Sequence, residues 1–145
     1  MPAAIASATL HATCISWQGR GVLLAGPSGI GKSDLALRLI DAGAMLVADD
    51  LVALSRRGPR LEARPVALAG LLEVRGQGIY RLPSLPESTL DLYVDLGGAE
   101  DTPRLPPEGV TQALLDVAVP SIAVDPRRPS AVARIRLALH GARVH

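Results

Sequence analysis

The sequence predicts an α/β protein built on a mixed, strand-rich sheet. Three observations lead there. Short apolar or alternating runs recur at 8–16, 21–25, 45–48, 51–55, 61–64, 90–96 and 121–124, the lengths and patterns of strands. Only two segments, 33–42 and 130–139, carry the apolar spacing of a helix. Eight of the 12 prolines lie between Pro83 and Pro129, which excludes long helices from that stretch. A doubly wound parallel sheet needs a helix after nearly every strand, so it does not fit.

The elements follow in order. Residues 8–16 are rich in β-branched side chains and partly alternate, which suits a strand. Gln18-Gly19-Arg20-Gly21 reads as a turn into the fully apolar run 21–25, a buried strand. In 33–42, Leu35, Ala36, Leu39 and Ile40 share one face, and Gly43 is a natural stop. The run 45–48 ends abruptly in Asp49-Asp50. The strand at 51–55 turns through Arg56-Arg57-Gly58-Pro59-Arg60 into the next at 61–64. Residues 70–80 are ambiguous by pattern. In 90–96, alternation places Leu90, Leu92, Val94 and Leu96 on one side. The closing helix, 130–139, sets Ala131, Val132, Ile135 and Leu139 on one stripe.

Composition bounds the function. The chain has 145 residues, 48% of them hydrophobic, enough for one domain with a real core. Its formal charge of +1 excludes a polybasic nucleic-acid binder. With no Phe, one Trp and two Tyr, it offers no base-stacking platform. A single cysteine, Cys14, excludes an internal disulfide framework, and that thiol reads as a small buried hydrophobe. No apolar run approaches the roughly 20 residues of a membrane span, and the N-terminus lacks a basic signal region. A cytoplasmic protein without nucleic-acid or membrane partners is therefore expected.

The positive charge is carried by 14 Arg and one Lys, Lys32. That lone Lys falls inside Gly26-Pro27-Ser28-Gly29-Ile30-Gly31-Lys32-Ser33, an ungapped match to G-x-x-x-x-G-K-[ST]. Shuffled chains of this composition would produce the pattern roughly once in a thousand. It follows an apolar strand and opens a helix, as the motif requires. Glycines let successive N–H groups turn inward as an anion nest, and the helix N-terminus adds its positive end. Lys32 is a compact charge for the β- and γ-phosphates, and the Ser33 hydroxyl suits Mg²⁺. The alternative is a glycine-rich structural turn.

Three acids and one arginine are the further candidates for the site. Asp49 and Asp50 end the strand beside the loop, where Mg²⁺ or its water shell is held in phosphoryl-transfer sites. On an extended backbone they would point to opposite sides, one toward metal or solvent and one toward the γ-phosphate as a base. Glu73 and Arg75 would share a face if locally extended, giving a metal ligand and a stabiliser of transferring charge. A surface ion pair is the plainer reading of that pair. His11 alone reads as a half-exposed strand histidine. Arg127 and Arg128 read as an exposed basic loop.

Other nucleotide-binding families fail on their own motifs. No N-K-x-D is available to a GTPase, no L-S-G-G-Q to an ABC ATPase, and no H-R-D or D-F-G to a eukaryotic-type protein kinase. The order Gly26 to Ser33, then Leu46-Val47-Ala48-Asp49-Asp50, then Leu72-Glu73-Val74-Arg75-Gly76-Gln77-Gly78-Ile79 resembles the catalytic domain of the bacterial HPr kinase/phosphorylase family over nearly the whole chain. Asp50 lies 18 residues after Lys32 and His11 lies 21 before it, as in that family's pattern.

The resemblance implies a fold similar to the nucleotide-binding domain of phosphoenolpyruvate carboxykinases. It implies ATP- and Mg²⁺-dependent phosphorylation of a serine on the phosphocarrier HPr. The reverse reaction with inorganic phosphate would yield pyrophosphate. By matched position, Asp50 is the proton acceptor forward and donor in reverse. Lys32 contacts phosphate, Ser33 and Glu73 ligate Mg²⁺, and His11 is an active-site residue near the acid. Arg104 matches a later active-site arginine. The loop 124–129 matches one linked to dephosphorylation but lacks the family's glycine, which weighs against phosphorolysis more than against kinase activity. The family's N-terminal domain has no counterpart in residues 1–145, implying a single-domain form; longer members form hexamers. A P-loop NTPase, a small-molecule kinase and a nucleotide-sensing module without catalysis are the alternatives.

Overall fold

The computed structural model describes residues 6–67, 69–97, 109–141, 143 and 144. The elements run β1 (Ser7–Trp17), β2 (Arg20–Ala25), α1 (Lys32–Asp41), β3 (Met45–Ala48), β4 (Leu51–Arg57), β5 (Arg60–Pro65), β6 (Leu71–Val74), β7 (Gly78–Arg81), β8 (Ser88–Asp95), β9 (Thr111–Leu114), β10 (Val117–Ala123) and α2 (Ala131–His140). Both expected helices are present, and the described part of the proline-rich stretch holds none.

The sheet is mixed, as expected. β2 runs parallel to β8, and β8 parallel to β10, while β1 is antiparallel to β2, β3 and β4. β1 and β8 are each shared by two groups of strands. The first half of β1 pairs with β4, and its second half with β2 and β3. Likewise β8 meets β5 at its start and β2 and β10 further on. The strands thus bend around one apolar core while the helices cover a second.

Alternation along β1 shows how one strand serves both cores. Ala12 and Cys14 point into the inter-strand core with Leu23, Val47, Leu54 and Leu61. Ile15 and Trp17 point to the other face, where Val22, Leu24, Leu35, Leu39 and Ile135 pack beneath the helices. With no Phe available, these cores are aliphatic; the Trp17 ring meets His140 edge-on at 6.5 Å.

β8 departs from the simple alternation. Leu92, Val94 and Leu96 face the helices, but Leu90 lies in the inter-strand core. The register with β2 shifts there: Gly21 pairs with Leu90, but Val22 pairs with Leu92. Asp91 is the extra residue, and its carboxylate accepts the Gly21 N–H at 3.0 Å. An inserted residue reverses the side on which the preceding side chain lies.

The ambiguous segment 70–80 is a two-stranded hairpin, β6 and β7, closed by a turn in which the Gln77 N–H donates to the Val74 carbonyl at 2.9 Å. The expected strand at 121–124 starts earlier, at Val117, and pairs with β9, which sequence pattern did not reveal. Arg104 lies outside the described residues.

Cys14 is completely buried, and burial pushes its thiol up to about 12 despite a backbone hydrogen bond at Val22 that acts the other way. The thiolate is the reactive form. Iodoacetamide at pH 8 should therefore leave the folded protein unmodified. Labelling should rise only along the urea unfolding transition; labelling ahead of that transition would show that Cys14 is reached in the native state.

Candidate active site

The loop 26–31 leaves the end of β2 and is followed at once by α1. The parallel strands β2, β8 and β10 all end on this side, the edge at which open α/β sheets bind ligands. Gly31 caps α1 with φ 112°, a left-handed conformation that a side chain would strain. No side chain caps the helix. The first N–H groups of α1 thus lack intrahelical partners, leaving a positive helix end beside the loop. The Lys32 ammonium folds back along the loop, donating to the carbonyls of Gly26 at 2.7 Å and Pro27 at 3.1 Å.

A cleft of about 430 Å³ opens over this helix end. Ser28, Gly29, Gly31, Lys32 and Ser33 form one wall, Asp49 and Asp50 another, and Glu73 and Arg75 a third. The size lies in the range of small-ligand sites. Residues far apart in sequence are assembled by three events: β2 delivers the loop, β3 delivers the acids, and the β6–β7 hairpin delivers Glu73 and Arg75.

The acids are not arranged as an extended pair. β3 and β4 follow each other along the same edge of β1, and the chain between them makes a three-residue turn centred on Asp50. The Leu51 N–H donates to the Asp49 carbonyl at 2.7 Å, and Asp50 has φ 67°. Such a turn is rare for a non-glycine residue, and Asp is one of the few that adopt it. The two carboxylates still have different surroundings, because the turn separates them. Asp49 is partly buried and accepts the Ser33 hydroxyl at 2.8 Å and the Thr13 hydroxyl at 3.0 Å. Asp50 is exposed on the cleft wall.

Of the other expected residues, Glu73 sits on β6 and Arg75 in the hairpin turn, so they are not both extended, yet both line the cleft. His11 is exposed on β1 opposite Leu51, the residue after Asp50, and on the same face as Thr13. It is not part of the cleft lining. Arg127 and Arg128 are exposed, and Asp125 is held below the usual carboxylate range by side-chain and backbone hydrogen bonds from Arg127. Pro126 of the same loop packs near Gly31 and accepts a hydrogen bond from Arg38.

Sequence pattern marked Asp49 only as one of two strand-end acids without fixing its partner, and it missed Thr13. Nothing local marked Thr13, whose partner lies 36 positions away.

The donor set fits a hard divalent cation. Ser33 Oγ and Asp49 Oδ1 lie together, with the Glu73 and Asp50 carboxylates on the same cleft. No cluster of three or more His, Cys, Asp or Glu that could hold a metal occurs among the described residues. The hydroxyl and carboxylate oxygens at Ser33, Asp49 and Glu73 are the donor type that Mg²⁺ takes, one or two from protein and the rest from phosphate and water.

Comparison with known proteins assigns this architecture to the strand-rich α/β class of a solved kinase. The HPr(Ser) kinase/phosphatase from Coxiella burnetii matches with a TM-score of 0.74 at 29% identity, over 92% of this chain and 93% of that one. The family model of the HPr Serine kinase C-terminal domain matches residues 3–136. The chain belongs to this family. The HPr kinase/phosphorylase of Burkholderia lata is 41% identical over 128 residues, 81% of this chain and 40% of that protein. That of Bordetella pertussis is 42% identical over 123 residues, 77% of this chain and 40% of that protein. The chain therefore spans about two fifths of the length of these curated relatives. No helix among the described residues is long and apolar enough to cross a membrane.

Proposed function

We propose that this chain is the catalytic domain of a protein-serine kinase that transfers the γ-phosphoryl group of ATP, with Mg²⁺, to a serine of an HPr-type phosphocarrier. The observation that carries this reading is the convergence of loop 26–33, the Ser33–Asp49 pair, Asp50, Glu73 and Arg75 on one cleft, in a chain of the HPr kinase family.

The roles follow from the chemistry of each group. The loop amides and the α1 N-terminus bind the phosphates, and Lys32 exchanges its loop carbonyls for phosphate oxygens. Ser33 and Asp49, with Glu73, are the residues that would hold Mg²⁺, which supplies neutralising charge on phosphate oxygens when bound. Asp50, exposed toward the cleft, accepts the proton of the incoming serine hydroxyl as its oxygen bonds to phosphorus and the bond to ADP breaks. Arg75 stabilises charge on the equatorial oxygens, with Arg104 as the family's matching second arginine. His11 stands beside the turn that carries Asp50. Alignment and charge stabilisation supply most of the rate in such transfers.

The relatives' names include phosphorylase, and the same residues would serve a reverse reaction. An oxygen of inorganic phosphate bonds to the phosphoserine phosphorus, the bond from phosphorus to the serine oxygen breaks, Asp50 returns a proton to that oxygen, and pyrophosphate leaves. The loop 124–129 lacks the glycine of the family pattern, which supports the forward reaction more than the reverse one.

The test mixes the protein, Mg-ATP and the HPr-type carrier encoded in the same genome. Mass spectrometry should find one phosphate added to a carrier serine, and none with Lys32→Ala. No addition to a folded carrier would refute the reading. ATP consumption without carrier labelling would indicate an NTPase or small-molecule kinase, and nucleotide binding without turnover a sensing module. Adding phosphate to the labelled carrier and assaying pyrophosphate tests the reverse reaction.

A further inference from the structure

Thr13 and Ser16 are the polar side chains fully buried among the described residues, both on the otherwise apolar second half of β1. The Ser16 hydroxyl has no partner, but the Thr13 hydroxyl has two. It donates to Asp49 Oδ1 at 3.0 Å and accepts the backbone N–H of Asp50 at 3.4 Å. A hydroxyl has one proton to give and lone pairs to receive, so it makes both bonds at once. Asp49 is the acid paired with Ser33, and Asp50 is the acid carried by the strained turn.

We infer that Thr13 is a positioning residue that sets both acids of the site from behind, aiming the Asp49 carboxylate at Ser33 and pinning the Asp50 turn against β1. The inference rests on the proposed function, because it assigns Thr13 to the phosphoryl-transfer site. Each of the two bonds has a second fastening alongside it. The Asp49 carboxylate also takes the Ser33 hydroxyl, and the Asp50 carbonyl also accepts the Ala12 N–H at 3.1 Å. Removing the Thr13 hydroxyl therefore loosens the acids without dismantling the strand. Once a cation draws Ser33 away from Asp49, Thr13 becomes the remaining side-chain donor described on that carboxylate.

Thr13→Val keeps the branched shape and deletes the hydroxyl; Thr13→Ser keeps the hydroxyl and deletes the methyl. Mn²⁺ binding is read by electron paramagnetic resonance with a non-hydrolysable ATP analogue present, and kcat by carrier phosphorylation. In Thr13→Val the Mn²⁺ Kd should rise about tenfold and kcat should fall about tenfold, the order expected for losing a hydrogen bond to a charged group. Thr13→Ser should restore both to within about twofold of wild type. Thr13→Ala repeats the deletion should Val fail to fold, with circular dichroism as the check. Wild-type values in a folded Val or Ala variant would overturn the assignment, as would a Ser variant no better than Val, since the hydroxyl would then not be what sets the acids. A wild-type protein with neither Mn²⁺–nucleotide binding nor transfer would instead defeat the functional reading, and this inference with it.

Discussion

Asp50→Asn should lower carrier phosphorylation by about 10²–10⁴-fold, the usual worth of a positioned general base, while nucleotide affinity changes only a few-fold. Asn has the size and shape of Asp but does not accept the serine proton at its amide. The backbone makes this a clean substitution. Asp50 sits at φ 67°, and Asn is among the side chains that best tolerate the left-handed region. Its N–H and carbonyl bonds to Thr13 and Ala12 are made by the main chain and survive the change. Thermal unfolding should therefore match wild type while transfer collapses. Alanine would be a poorer probe, because it adds strain at the turn to the lost carboxylate. A loss under threefold would remove Asp50 as the proton acceptor. A large loss accompanied by a lowered unfolding midpoint would make the carboxylate structural.

The second large effect concerns stability. Gly21→Ala should destabilise the fold by about 3–5 kcal/mol, a large part of the roughly 5–15 kcal/mol that holds a typical domain together. A Cβ on Gly21 would stand 1.8 Å from the Thr89 carbonyl oxygen and 2.9 Å from its carbon. Both atoms are backbone, so no side-chain rotation relieves the clash. Either β2 or β8 must move, and their junction is where the Asp91 bulge fixes the register of the two buried strands. Gly19 is the control. Its φ is +83°, but a Cβ placed there would meet nothing within 4 Å. Gly19→Ala thus meets conformational strain alone, about 1 kcal/mol. Urea denaturation of the two variants separates close approach from backbone strain. Equal midpoints would show that β2 and β8 part easily. If Gly21→Ala yields no soluble protein while Gly19→Ala does, the order stands.

The site was legible in the sequence to different depths. The loop 26–33 announced itself because a contiguous stretch of backbone, one Lys and one Ser make the whole cradle. Position beside the loop marked the Asp49–Asp50 pair, but the choice of Asp50 as the base, and of Glu73 as a ligand rather than half of a surface ion pair, came only with the family pattern. The expectation of opposite-facing acids assumed an extended backbone. The Asp49–Leu51 hydrogen bond and the positive φ of Asp50 replaced it with a turn. Likewise, alternation placed Leu90 with Leu92, and a single inserted residue in β8 sent it to the other core.

By itself, the sequence determined which segments are strands and helices over most of the chain, the strand–loop–helix around Lys32, and the aliphatic character of both cores. These depend on neighbours within a few residues, where periodicity and glycine placement act directly. Only the tertiary structure decided that β1 and β8 each serve two groups of strands, that the β6–β7 hairpin carries Glu73 and Arg75 to the cleft, and that Thr13 reaches both acids. The reason is physical. A pattern of apolar residues says which face of an element must be covered. It does not say which distant element covers it, and hydrogen bonds across that contact exist only once the covering element is chosen.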